Sequence, residues 1–140
     1  LLIGSFTNVL DSKSRVFIPS AFRADLGERF ILNRGIDKDS LYIYPIKEWE
    51  ALEKKLVALP ASKKDNRDII RFYTQNAVLT EVDAQGRMLI PQLQRERIGL
   101  SRDVLFIGTI RGVEVWSPDK VVSREPEDIA EKLESMDFDF

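Results

Sequence analysis

Two short stretches of the chain place an acid and a base at the same spacing: Asp11 with Arg15, and Asp83 with Arg87. A guanidinium is permanently charged and carries a planar fork of donors, a shape that matches phosphate oxygens or the O6 and N7 edge of guanine. The carboxylate four residues earlier has the wrong charge to meet a phosphate. It suits a supporting part, accepting turn amides or aiming the arginine. The same pair could equally be an ion pair that only closes its own turn, and the spacing alone leaves both readings open. Lys13, inside the first turn, could add a nucleic-acid contact or simply be solvated. Its counterpart is the uncharged Gln85, so the two turns are not expected to contribute equally.

Composition narrows the chemistry available elsewhere. The 140 residues include no cysteine and no histidine, which removes disulfides, thiolate zinc sites, the usual nucleophile pairs and the commonest general base. No catalytic residue, metal or cofactor is expected. Net charge is -2, unpromising for a protein that meets phosphate, but it is unevenly placed. Residues 124–140 carry two cations against seven carboxylates, net -5, which leaves +3 on the other 123 residues. No apolar run approaches the roughly 18 residues that span a bilayer, and the opening Leu1 to Gly4 is too short and uncharged for a signal peptide. A soluble cytoplasmic protein is the expectation.

The two Asp-x-x-x-Arg stretches belong to an internal duplication. Residues 9–19, VLDSKSRVFIP, align with 81–91, EVDAQGRMLIP, pairing Asp11 with Asp83, Arg15 with Arg87, Ile18 with Ile90 and Pro19 with Pro91. Arg23 and Arg95, then Gly27 and Gly99, keep that register. A two-residue insertion follows, and the register returns at Ile43-Tyr44 and Val115-Trp116. Arg23 and Arg95 fall on short helices, where a surface ion pair with Asp25 or another neighbour is the ordinary outcome.

Each copy reads as two short strands joined by an Asp-containing turn of the hairpin kind, at 5–9 with 15–18 and at 77–82 with 87–90. A proline then stands at the first position of a short helix that a glycine ends. Two core strands follow, near 30–34 with 41–44 and near 104–109 with 113–116. A unit of roughly 45 residues is too small to bury enough surface alone, so the copies must share one core. The stripe of Pro45, Glu48, Trp49, Leu52, Leu56 and Leu59 predicts an amphipathic helix that Pro60 breaks, and 65–75 predicts another. Residues 54–76 carry six cations against two carboxylates, net +4, and join the copies. Ser117-Pro118 reads as the cap and first position of a last helix, with fraying after Met136. These readings divide the chain into a first repeat at 4–53, a helical connector at 54–76, a second repeat at 77–123 and an acidic helix or tail at 124–140.

The paired motifs, with LDSKSR at 10–15, IPSAFR at 18–23, Tyr44-Pro45 with Glu48-Trp49, Leu59-Pro60 and Arg71-Phe72, resemble the MraZ family over nearly the whole chain. The resemblance implies an α+β fold: two tandem AbrB-like repeats forming one pseudo-twofold, double-psi or swapped-hairpin-type barrel with flanking helices. It also implies a homo-oligomeric, ring-shaped, nucleoid-associated repressor. Such a regulator binds repeated promoter boxes of the bacterial division and cell-wall gene cluster on double-stranded DNA, with no membrane and no small-molecule substrate. Arg15, Arg87 and Lys13 would then touch DNA, with Asp11, Asp83 and Gly86 as supporting turn residues. One departure stands out, because the family has Lys-Gly-Arg in the first turn where this chain has Ser14, opposite Gly86. If the backbone there requires positive φ, serine costs on the order of 1 kcal/mol and could re-aim Arg15.

Two other function classes fit parts of the sequence. An AbrB-like antitoxin or interaction module would use the acidic tail to wrap a partner. The fused duplication and the lack of a long disordered tail count against it. An enzyme using Asp11 and Asp83 as paired acids would need a third polar group or a cleft beside them, and nothing in the sequence supplies one.

Overall fold

The short apolar runs of each copy become strands, and the partner each strand takes decides the architecture. A computed structural model describes residues 1–121 and 126–138. Among them the first half runs β1 (Ser5–Val9), β2 (Arg15–Phe17), α1 (Ser20–Leu26), β3 (Arg29–Arg34) and β4 (Ser40–Pro45). Two helices follow, α2 (Ile46–Val57) and α3 (Lys64–Thr74). The second half repeats the order as β5 (Val78–Glu81), β6 (Arg87–Leu89), α4 (Gln92–Ile98), β7 (Asp103–Gly108) and β8 (Val113–Trp116), and α5 (Pro126–Ser135) comes last. The molecule is α+β, with a six-stranded sheet in the order β1-β7-β8-β4-β3-β5, all antiparallel and not closed on itself. A separate two-stranded ribbon pairs β2 with β6.

Exchanging the two halves turns the six-strand order into its own reverse, so the sheet has an internal twofold. The register obeys the same exchange: Phe6 faces Phe106 across β1 and β7, as Val78 faces Leu32 across β5 and β3. The axis runs through two couples that map onto themselves, Tyr42 with Glu114 in the sheet and Val16 with Met88 in the ribbon.

The expected local hairpins do not form as paired ladders. β1 leaves its neighbour to pair with β7, and β2 crosses to β6, with only the Asn8 side-chain amide donating to the Phe17 carbonyl (2.8 Å) to bridge β1 and β2. Alternation explains the crossing. Val16 and Met88 are fully buried while Phe17 and Leu89 stay half-exposed, so each three-residue strand has one residue to bury, and the opposite half supplies the facing surface. The shared core is as expected, joining Ile18, Phe22, Leu32 and Ile43 of one half to Ile90, Ile98, Phe106 and Val115 of the other in one cluster.

Several element ends differ from the sequence expectation. Pro19 and Pro91 stand just ahead of α1 and α4, as extended caps without a side-chain cap bond, while Gly27 and Gly99 do end those helices with positive φ. α2 stops at Val57, before Pro60, and only Leu56 of its stripe is buried. Ser117-Pro118 opens no helix among the described residues. The Ser117 hydroxyl donates to the Asp119 carboxylate, and the Lys120 amide closes a turn on the Ser117 carbonyl (2.9 Å). α5 starts at Pro126 instead, a favoured first position. α5 ends at Ser135, after which Asp137 takes positive φ and the Phe138 amide donates to the Leu133 carbonyl (3.0 Å), a bond of the kind that closes helices. Residues 122–125 and 139–140, which hold the end of the expected second repeat and both ends of the acidic tail, lie outside the described residues. No helix of the described residues is long and apolar enough to cross a membrane.

Because β1 and β2 find their backbone partners only in the second half, a chain of residues 1–76 should stay unfolded. Its circular dichroism is expected to lack sheet signal until a 77–140 chain is added. A cooperative melt of 1–76 alone would contradict the crossed pairing.

Candidate nucleic-acid interface

Each Asp-x-x-x-Arg stretch closes the same turn. In the first, the Ser14 amide donates to the Asp11 carbonyl (3.0 Å) and the Asp11 amide to the Arg15 carbonyl (2.8 Å). Oδ1 of Asp11 accepts the amides of Lys13 and Arg15 (2.9 Å each), leaving Oδ2 for Arg15 Nε (3.0 Å). The second turn repeats every bond: Gly86 to the Asp83 carbonyl (3.0 Å), Gln85 and Arg87 amides to Asp83 Oδ1 (3.0 and 2.9 Å), and Arg87 Nε to Asp83 Oδ2 (2.9 Å). Each carboxylate therefore both accepts turn amides and pairs with its arginine.

These bonds fix what the arginines can do. Nε is engaged with aspartate, and neither Nη group of Arg15 or Arg87 has a hydrogen-bond partner among the described residues. The Nη edge is the fork that meets two acceptors at once. Both arginines stand on the outward face of the β2–β6 ribbon with Phe17 and Leu89, because Val16 and Met88 between them point to the core. Neither is sealed: the Arg15 side chain is 32% exposed and that of Arg87 18%.

The two sites are not equivalent in their surroundings. Arg87 lies over the Phe17 ring (5.8 Å to the centroid) and sends Nη1 toward Asp11 Oδ2 (3.7 Å), the oxygen that already holds Arg15. Asp11 therefore touches both guanidinium groups, while Asp83 holds one. Sequence reasoning missed this and the part of Phe17, since both follow from the β2–β6 register and not from any local motif. Lys13 is exposed at the tip of the first turn with no ion pair among the described residues, and Gln85 stands at the same place in the second. Arg23 and Arg95 form no ion pair there either. A methyl group built on Gly86 would lie 2.6 Å from Arg23 Nη1, so Arg23 covers the second turn, whereas Arg95 donates to the Ile90 carbonyl.

Ser14 does occupy the left-handed region, at φ 64, as Gly86 does at φ 91. The hydrogen bonds of the first turn match those of the second, so serine takes up the left-handed conformation there and the Arg15 Nε bond to Asp11 is kept. Both carboxylates titrate below their ordinary range. The Arg15 amide does most to lower Asp11 and the Arg87 amide most to lower Asp83, against a desolvation effect of opposite sign, with the second turn amide and the arginine side chain adding to the lowering. No cluster of three or more metal-ligating side chains occurs among the described residues.

A family model described as "MraZ protein, putative antitoxin-like" matches residues 1–72 and 74–139. The "Transcriptional regulator MraZ" of Caldanaerobacter subterraneus subsp. tengcongensis is 43% identical over 144 aligned residues, covering 99% of this chain and all of that protein. The protein of the same name from Caldicellulosiruptor bescii is 42% identical, covering 97% of this chain and 99% of its own length. A third, from Clostridium botulinum strain Eklund 17B, is 40% identical with the same two coverages.

Two outcomes follow from the turn geometry. Ser14→Gly should stabilise the protein by up to about 1 kcal/mol, part of the relieved strain being offset by a freer unfolded chain, whereas Gly86→Ala should destabilise through both φ and Arg23. Denaturant melts of the two variants check this, and equal effects would contradict the asymmetry. The second outcome concerns acid. Carboxylates with lowered folded pKa contribute stability that is complete above their unfolded value, near 4, and is lost as pH falls through the folded value. Asp11→Asn with Asp83→Asn should therefore flatten the fall in melting temperature below about pH 4. An acid limb identical to that of the parent chain would mean that the turns hold no such linkage.

Proposed function

The chain belongs to the MraZ family, and from that membership together with the paired turns we propose that it is a DNA-binding transcriptional regulator. In this reading Arg15 and Arg87 present their Nη edges to double-stranded DNA from one two-stranded ribbon, a shape the major groove admits. Lys13 adds a phosphate contact on the first turn only. Asp11, Asp83 and Gly86 support the turns. The observation that carries the proposal is the duplicated geometry: two arginines, each held by Nε to its own aspartate and with no Nη hydrogen bond among the described residues, on one outward face of the ribbon.

Within that reading, the self-reversing sheet and crossed ribbon are two AbrB-like repeats, 4–53 and 77–123, fused as a swapped-hairpin barrel whose connector is 54–76 and whose acidic tail is 124–140. The protein acts as a repressor on repeated boxes in the promoter of the bacterial division and cell-wall gene cluster. It works in the cytoplasm on the nucleoid, as a ring-shaped homo-oligomer and a binding protein rather than an enzyme. Each turn pair contributes a modest affinity, and several subunits on one assembly multiply it over evenly spaced sites.

A gel shift on DNA from upstream of the chain's own gene tests this. Each of Arg15→Ala and Arg87→Ala should weaken binding by about 1–3 kcal/mol per guanine contact, and the double variant should abolish the shift while the oligomer keeps its mass. Undiminished binding by the double variant would reject the proposal.

A further inference from the structure

Two of the described helices have amphipathic sequences and no fully buried residue, and each leaves an isoleucine exposed. α5 carries Ile129 and Leu133 at helical spacing on one face, with Met136 in the turn just after it, yet none of its residues is fully buried, with Ile129 41% and Met136 71% exposed. α3 also has no buried residue and leaves Ile69 43% exposed.

Their charges are opposite. Residues 126–138 hold five carboxylates, Glu127, Asp128, Glu131, Glu134 and Asp137, against Lys132, net -4. None of the five is in an ion pair among the described residues. The connector 54–76 is net +4, and its Lys54, Lys55 and Lys63 are likewise unpaired among the described residues, while Lys64 and Arg71 share Asp68. An acidic rim around the exposed apolar face of α5 is matched by a basic surround about the exposed Ile69 of α3, the kind of complementarity that sets register between two surfaces.

We propose that α5 of one subunit docks on the α3 surface of a second copy of this chain, Ile129 and Leu133 against Ile69, with Lys63 and Lys64 facing the α5 carboxylates. The two patches differ, so the contact is head-to-tail and passes from subunit to subunit until it closes. This gives the homo-oligomer of the proposed function its interface and rests on that part of the reading alone. DNA contact by the β2–β6 ribbon is not required for it.

The absence of cysteine makes the test clean. Full-length Ile69→Cys and Ile129→Cys chains, mixed and oxidised, should form a disulfide-linked dimer roughly tenfold faster than either chain alone, because docking raises the effective concentration of the two thiols. Light scattering of Ile129→Glu with Leu133→Glu should show the mass falling to one subunit, with the dichroism of the body intact because α5 has no fully buried residue. Lys63→Glu with Lys64→Glu should also dissociate the assembly, and mixing that chain with Glu131→Lys and Glu134→Lys should restore it.

Three results overturn the inference. One is an assembly whose mass survives the α5 substitutions, which spares the homo-oligomer and rejects this interface. Another is a chain carrying both Ile69→Cys and Ile129→Cys that, on oxidation, links only within itself, which makes its own α3 the occupant. The last is an unsubstituted protein that is monomeric at every concentration, which removes the homo-oligomer and the interface together.

Discussion

The rest of the structure depends on the pairing of Val16 with Met88 across the internal twofold. Both side chains are fully buried, and the ribbon they centre on has only three residues from each half. The ladder is extended by two further bonds, the Ile18 amide to the Gly86 carbonyl (2.9 Å) and the Ile90 amide to the Ser14 carbonyl (3.0 Å). Each turn is therefore tied by its own positive-φ residue to the opposite half. A change in how the halves meet would move both turns together, because neither is anchored only to the half that encodes it.

That coupling changes how the arginines should be understood. They are not two independent projections: Asp11 Oδ2 receives Arg15 Nε and faces Arg87 Nη1. Two guanidinium groups and two carboxylates make the cluster locally neutral, so it adds little to long-range attraction, which depends on summed charge. What it adds is orientation. An arginine held by Nε loses less rotamer freedom on binding than a free one, so the cost of ordering is met when the turn folds. A cluster of this kind suits reading a particular arrangement of acceptors better than it suits gripping any phosphate.

Much of this was legible in the sequence, for identifiable reasons. The duplication, the strand positions and the shared core follow from identities at one offset and from alternation, which are local signals. The Asp-Arg turns were legible as residues, and glycine opposite serine pointed to positive φ at Ser14. What the sequence could not show is partner choice. A polar turn between two short strands reads as a hairpin whether the strands pair with each other or with another half, since the period of two is satisfied either way. The Phe17 contact and the double duty of Asp11 were hidden for that reason. Ser117-Pro118 was misread because the serine hydroxyl bonds a side chain two residues on, Asp119, where a helix would have needed it for a backbone amide.

The duplication has drifted unevenly, and the pattern of drift is informative. Core pairs such as Ile18 with Ile90 and Leu26 with Ile98 remain interchangeable hydrophobes, yet Phe22 is matched by the buried Gln94. Gln94 donates to the Asn76 carbonyl (2.9 Å), fastening α4 to the end of the connector, a bond that only the second half needs because only it follows the connector. The turns have drifted in the same manner: Lys13 and Ser14 on one side, Gln85 and Gly86 on the other, with Arg23 filling the space a serine side chain would take at Gly86. The two halves thus keep the same hydrogen bonds in the Asp-Arg turns while placing different groups around them. In the DNA-binding role proposed above, one cationic tip and one neutral tip would make the contact directional, so that a reader fused into one chain could be ordered along a nucleic acid in a way that a symmetric dimer of identical halves cannot.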